Sequence, residues 1–441
     1  MTFTLPMMIS MAILFGAYVL IFSEKIHRTS AAIIGAVSMV TIGMMFDFYS
    51  QEEAIHSIDA NTIFLLAAMM MVVAMLRNTG AFEYMAIVLS RISRSKPKLL
   101  LIYLCTAVSL ISMILDNVTT VIVFAPLTIL ITRLMKLNPV PYLVGEAMLS
   151  NVGGIATLVG DPPNIMIGSA ANIDFTTFLI HMAPPVIIVW LFTISFLLFS
   201  FRDELAVVID DSKSSKLDTR HAIKDPVLFI KTMVSLAVII ALFFVHHHLH
   251  LYPSFAAIIG LALAMALMQP KPEKLFGEVN WSVLIFFTGL FVIVGGVEAS
   301  GLLGMLGEEL AHVAQNPEKL LLTCLLIMWV AAMLSAFVDN IPFTVTMIPI
   351  ILGLESAGVP VTPMWWALAL GVGLGGNGTH IGATANIIVM SELEKSGIQN
   401  ARISPMDWLK KGLPTTFIGL VVSSIIFSLF FDFFLGPQAP L

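Results

Sequence analysis

Asp116, Asp161 and Asp339 each stand in an apolar stretch, and each is followed closely by an asparagine: Asp116-Asn117, Asp339-Asn340 and Asp161-Pro162-Pro163-Asn164. A carboxylate kept away from water costs free energy, so one retained there is ordinarily a site residue that can trade a proton. Asn117, Thr119 and Thr120 beyond the first aspartate, and Asn340 and Thr344 beyond the third, add oxygens and amides suited to a small polar solute. Two glycine-rich breaks add more. Gly153-Gly154-Ile155-Ala156-Thr157 with Gly160-Asp161-Pro162-Pro163-Asn164 is echoed by Gly375-Gly376-Asn377-Gly378-Thr379 with Gly382-Ala383-Thr384-Ala385-Asn386. Proline cannot continue a helix and a run of glycines weakens one. Both breaks therefore free backbone groups at Gly154 and Gly376, beside Asn164, Asn377, Thr379 and Asn386. These positions are the expected substrate contacts, and Asp116, Asp161 and Asp339 the expected proton-coupling groups.

Taken singly, each Asp-Asn pair is equally consistent with an Asx turn on the surface. Small-residue helix packing would explain the glycines, though not Asp161-Pro162-Pro163. The repetition argues for a site. Leu115-Asp116-Asn117-Val118-Thr119-Thr120 with Pro126 recurs about 220 residues later as Val338-Asp339-Asn340-Ile341-Pro342-Phe343-Thr344 with Pro349, and Ala31-Ala32-Ile33-Ile34-Gly35 recurs as Ala256-Ala257-Ile258-Ile259-Gly260. Broken backbone within lipid is tolerated only where it lines a protein cavity. Paired interruptions in corresponding halves point to a transport site.

The elements that position these residues are membrane spans. Of 441 residues 58% are hydrophobic and 11% charged, and the mean hydropathy is +0.96, which excludes a soluble domain and leaves apolar length for roughly ten spans. The expected fold is all-α and integral to the membrane, with inverted repeats over 1–201 and 228–441 and a polar cytoplasmic linker over 202–227. Each repeat has five spans plus a re-entrant hairpin (99–133 and 320–354) and a broken helix. Hairpin arms of 16–17 residues rise about 25 Å, short of a hydrocarbon core of roughly 30 Å, whereas two full crossings would give the same charge pattern. With both termini outside, all of the 22 Lys and Arg except Lys319 fall inside, as expected in a plasma (inner) membrane. The first apolar stretch lacks a basic leader and a small-residue cleavage site and reads as a span surrounded by lipid, not a removed signal.

Other chemistries find less support. Cys105 and Cys324 form no framework, and the run His246-His247-His248-Leu249-His250 has no cysteine and no acid of its own loop, so no metal and no cofactor are expected. Gly-x-x-x-x-Gly-Lys-Ser/Thr is absent, so neither an ATP-driven nor another enzymatic role is expected, nor a nucleic-acid partner. Glu146 reads as a residue nearer the inner mouth, and His380 lies within the second break.

The paired motifs resemble the ion transporter superfamily, and within it the arsenical pump (ArsB)/sodium–proton antiporter (NhaD)/P-permease branch. The resemblance covers most of the chain. It implies an elevator-like motion of hairpins and broken helices against the remaining spans. It also implies export of arsenite or antimonite, neutral trihydroxides near pH 7, in exchange for protons, with an ATPase partner or a homo-oligomer open. In the related dicarboxylate transporters the tips read Ser-Asn-Thr and the first break reads Gly-Ser-Pro-Pro-Asn. Asp116, Asp339 and Asp161 stand at those serines here, and the added negative charge argues against a dicarboxylate. The alternatives are sodium–proton exchange on the same acids and an anion carrier.

Overall fold

The computed structural model describes residues 3–22, 25–94, 96–207, 222–305, 319–337, 340–398 and 401–436. Asp339 and most of the 202–227 linker lie outside the described residues. Within them the chain is helical, with no strand.

The first half runs α1 (Leu5–Phe22), α2 (Arg28–Met45), α3 (Gln51–His56), α4 (Ala60–Asn78), α5 (Ala81–Ile92), α6 (Pro97–Ser112), α7 (Asn117–Met135), α8 (Val140–Gly154), α9 (Pro162–Ala170) and α10 (Phe175–Ser200). The second half runs α11 (Pro226–Val245), α12 (Pro253–Met268), α13 (Pro272–Gly277), α14 (Trp281–Ala299), α15 (Leu320–Phe337), α16 (Asn340–Ser356), α17 (Thr362–Gly375), α18 (Thr384–Lys395), α19 (Pro405–Leu429) and α20 (Phe431–Leu435). Eight of the described helices are individually long and apolar enough to cross a membrane. The protein is an integral, all-α membrane protein.

Local chemistry sets where helices begin. Asp59, Asp174 and Asp225 accept from backbone amides at the starts of α4, α10 and α11, and Ser50 and Glu53 close a reciprocal capping box on α3. Prolines take the first turns of α6, α12, α13 and α19, where a missing N–H costs nothing. The stretches expected as hairpin arms hold helices of 16 and 19 residues in the first half and 18 and 17 in the second, and the 19- and 18-residue helices are among the eight long enough to cross. Helix α5 is not among the elements expected from sequence. It is a short amphipathic helix that buries Phe82 edge-on against Phe124 of α7, with ring centroids 5.9 Å apart.

The helices pack as two bundles. In one, α2 lies on α14, α12 on α4, α1 on α2 and α11 on α12. In the other, α6 lies on α8, α15 on α17 and α10 on α19. Across the halves, α7 packs on α18 and α16 on α9, while α14 with α16 and α4 with α9 join one bundle to the other. Small residues permit the closest approaches, as membrane helices require when lipid supplies no hydrophobic drive between them. A Cβ on Gly153 would stand 2.5 Å from the Ser109 carbonyl oxygen of α6, and one on Gly375 would stand 2.4 Å from the Ala332 oxygen of α15. Gly153→Val or Gly375→Val must pry backbones apart. Each is expected to lower the thermal midpoint of detergent-purified protein, at a cost of about 1–3 kcal/mol, while Gly16→Ala, which meets nothing within 4 Å, leaves it unchanged.

Candidate functional site

The breaks between α8 and α9 and between α17 and α18 free carbonyls in the buried interior, and one asparagine beyond each break takes them up. Asn164 donates to the Gly154 and Thr157 oxygens at 3.0 and 2.8 Å. Asn386 donates to the Gly376 and Thr379 oxygens at 2.7 and 2.9 Å. Threonine hydroxyls then tie each break to the hairpin of its own half: Thr157 donates to the Met113 carbonyl and Thr379 to the Ala336 carbonyl. Below them, Ser112 donates to the Ser150 oxygen at 2.7 Å and Ser335 to the Val372 oxygen at 2.8 Å. Gly154 and Gly160 belong to the same closure, since a Cβ on Gly154 would meet the Gly160 oxygen at 2.6 Å. The hairpin tips therefore lie at the level of the breaks.

A chain of amides crosses between the halves. Asn386 has its nitrogen committed to two carbonyls, so its Oδ1 must accept, and it does so from Asn151 Nδ2 at 3.1 Å. The same nitrogen reaches Asn377 Oδ1 at 2.9 Å, and Asn377 in turn donates to the Met148 oxygen at 3.2 Å. Asn151 is thereby oriented with its oxygen toward Asn117, whose Nδ2 donates to it at 3.0 Å. Asn117 Oδ1 ends the chain as a buried acceptor with no partner among the described residues. At that depth it calls for a donor or a cation.

The aspartates differ in what they do. Asp116 caps α7, accepting from the Thr119 amide at 2.8 Å and from its hydroxyl at 2.6 Å. Asp161 is 2% exposed and takes the Asn340 amide on both oxygens, at 3.1 and 3.3 Å, across the two halves. Thr120 and Thr344 bond back to the carbonyls of Asp116 and Asn340 at 2.9 and 2.8 Å and serve the first turns of α7 and α16.

A cavity of about 90 Å³ opens beside Asp116 and Thr119 and is also lined by Arg28, Arg77, Glu278 and Thr384. Arg28 donates to Thr384 Oγ1 at 3.0 Å and lies 5.5 Å over the Phe286 ring. Arg77 and Glu278 form an ion pair from the end of α4 to the start of α14. Ala383 stands at the N-cap of α18 and offers no side chain to its first amides. A second cavity, of about 230 Å³, lies at the other ends of α4 and α14, against α9 and α16, with Asp59, Ser169 and Glu298 on its wall. Two openings thus meet the interface between the bundles from opposite ends.

Of the expected contacts, Asp116 and Thr119 face the first cavity. Gly154, Asn164, Asn340, Thr344, Gly376, Asn377, Thr379 and Asn386 instead build the wall behind it. Reasoning from sequence missed Asn151, although its place two residues before Gly153 was a signal. Nor did it single out Arg28, which begins α2 and lines the cavity. His246 is structural: it accepts from the Phe175 amide through Nε2 at 3.3 Å, and its Nδ1 lies 2.8 Å from the Leu251 oxygen.

Residues 18–371 match the family model described as citrate transporter (CitMHS). The chain is 38% identical over 427 residues to a protein of Mycobacterium leprae (strain TN) named "46 kDa membrane protein", covering 95% of this chain and 97% of that one. It is 38% identical over 423 residues, with the same coverage, to an "uncharacterized transporter" of Mycobacterium tuberculosis (strain H37Rv). It is also 31% identical to the human "P protein" over 94% of this chain and 59% of that one. Asn386→Ala would strand the Gly376 and Thr379 carbonyls and unset the amide chain. It is expected to destabilise the detergent-purified protein by about 1–3 kcal/mol per group left unpaired, read as a fall in thermal midpoint.

Proposed function

This chain belongs to the citrate transporter family of the ion transporter superfamily and is a membrane transporter, and from that premise we propose that it moves a small hydroxycarboxylate, coupled to protons. The observation that carries the reading is the Arg28 guanidinium, 3.0 Å from Thr384 Oγ1 at a helix start whose N-cap is Ala383. At the start of α7, by contrast, a first-turn amide is met by the Asp116 carboxylate. At α18 no described side chain caps the first amides, and an anionic group of the solute would do so, between an arginine fork and the positive end of a helix. Asp116 and Thr119 on the same wall would take the solute's hydroxyl. The charge argument against a carboxylate weighed the added aspartates alone, and Arg28 alters that balance. The description of the family as citrate transporters is in keeping with such a substrate.

A second reading, exchange of arsenite or antimonite for protons, draws on Asn117 Oδ1, a buried acceptor that the hydroxyl of a neutral trihydroxide would satisfy. Sodium–proton exchange would use the same acceptor with Asp116 and Asp161. In each reading the halves act as inverted repeats in a plasma membrane. The bundle of α6–α10 and α15–α19 slides against the other, alternately opening the two cavities.

Purified protein in liposomes, given labelled citrate outside and unlabelled citrate inside, should show exchange. No exchange with citrate or another hydroxycarboxylate, together with arsenite uptake that collapses with the proton gradient, would transfer the function to the second reading. Loss of a charge-assisted hydrogen bond is worth about 1.5–3 kcal/mol. Arg28→Gln should therefore raise the KM for the carboxylate roughly 10- to 100-fold and leave arsenite or sodium movement, if present, unchanged.

A further inference from the structure

Glu146 is the carboxylate that the site just described does not use. It lies on α8, fully buried, and its Oε1 accepts from the Thr128 hydroxyl of α7 at 2.5 Å. Its Oε2 is buried with no partner among the described residues. Thr128 and Thr132 are also fully buried, and Thr132 donates to the Thr128 carbonyl at 2.7 Å. The seam between α7 and α8 thus carries two polar rungs. Asn117 with Asn151 forms one at the hairpin tip, and Thr128 with Glu146 forms the other toward the end that holds Arg133.

Packing does not require an acid there. Aligning the two breaks places Leu368 at the position of Glu146, and aligning the two hairpins places Ile351 at that of Thr128. Both are fully buried in α17 and α16, so the second half builds the same seam from aliphatic side chains. An ionised carboxylate with a single hydroxyl donor in an apolar interior would cost several kcal/mol. An acid kept within a membrane at that cost is a functional-site hypothesis by default.

We propose that Glu146 carries the coupling proton, at a place separate from the solute cavity. In the packed conformation the carboxyl holds its proton. When the seam between α7 and α8 admits water, the O–H bond breaks, the proton passes to water and the carboxylate is left. Uptake reverses these events. Asp116, with both oxygens engaged in capping α7, and Asp161, with both on Asn340, are more firmly committed.

Few charges bear on Glu146. Cys105 of α6, also fully buried, is close enough to feel its field, while Lys98 is exposed at the start of α6 and Tyr103 is half-buried. Arg133 of α7 is exposed in its last turn. His181, the single titratable residue of α10, is stacked on Trp366 at 4.6 Å, and α17 has none. Glu392, Glu394 and Lys395 stand at the polar end of α18.

The inference rests on the reading of proton-coupled transport, and its test separates the two. In liposomes, wild-type protein should both exchange labelled citrate at equal pH and accumulate it under an imposed proton gradient. Glu146→Gln, which mimics the protonated group in shape, should keep exchange, lose gradient-driven accumulation and flatten the pH profile. Glu146→Asp should keep accumulation with a displaced profile. Infrared difference spectra of the wild type should show a protonated carboxyl band that is lost in Glu146→Gln and moved in Glu146→Asp. If Glu146→Gln does not fold, the Glu146→Asp spectrum and profile decide. Wild-type accumulation and an unaltered pH profile in Glu146→Gln, or an unmoved band in Glu146→Asp, would overturn the role of Glu146 and leave proton coupling standing. A wild-type protein that exchanges citrate but ignores the gradient would overturn the coupling itself.

Discussion

Everything at the centre of this molecule depends on two asparagine side chains that take up the carbonyls freed where helices break. Buried peptide groups must be paired, and in lipid there is no water to do it. Asn164 and Asn386 each bridge two carbonyls of their own break at 2.7–3.0 Å, which closes each loop over itself. Only then can a hairpin tip lean on the loop through Thr157 or Thr379. Because Asn386 uses its nitrogen for carbonyls, its oxygen is left to orient Asn151, and Asn151 orients Asn117. The polarity of the centre is thus inherited from the need to satisfy backbone.

The two halves meet this need in the same way and then diverge. Asp161 has Ala383 as its counterpart, Asn151 has Gly373, and Glu146 has Leu368. These three differences place the polar or acidic member in the first half, whereas Asn377, with Ile155 as its counterpart, places one in the second. The carboxylate at Asp161 faces the amide of Asn340 from the other half, whereas at Ala383 the neighbouring polar group is an arginine from the other bundle. A duplicated frame with unequal fillings thus places a carboxylate at one helix start, turned toward Asn340, and no side-chain cap at the other.

Much of this was legible in the sequence for a physical reason. Proline pairs, glycine runs and Asp-Asn pairs are local signals, so the breaks, the tips and the helix starts could be found from neighbours in the chain. What escaped was set by distance in space. Arg28 lies 356 positions from Thr384, and nothing around it distinguishes a cation in a loop from one reaching into a cavity. Asn151 reads as an ordinary helical residue until α7 and α18 are brought beside it. Helix α5 escaped for another reason: at 12 residues its apolar face is too short to stand out. Most of the polar residues proposed as solute contacts proved to be occupied by backbone, because a break creates its own demand for hydrogen bonds before any ligand arrives.

The placement of Arg28 bears on how binding and movement could be joined. Arg28 begins α2, in one bundle, whereas Thr384, Asp116 and Thr119 belong to the other. A rigid displacement between the bundles therefore separates the guanidinium from the α18 helix start. With no anion present, that separation sacrifices one hydrogen bond to a hydroxyl, a contact worth only about 1.5–3 kcal/mol even when charged. With an anion seated between them, the same movement must either break a charge-assisted pair or carry the anion away on the helix terminus, leaving the arginine to other partners. Phe286, 5.5 Å beneath the guanidinium, gives Arg28 a face to rest on once the helix has gone. In the proposed movement, an arginine outside the sliding bundle would thus be a partner that can be released, while a helix start within it would travel with the solute.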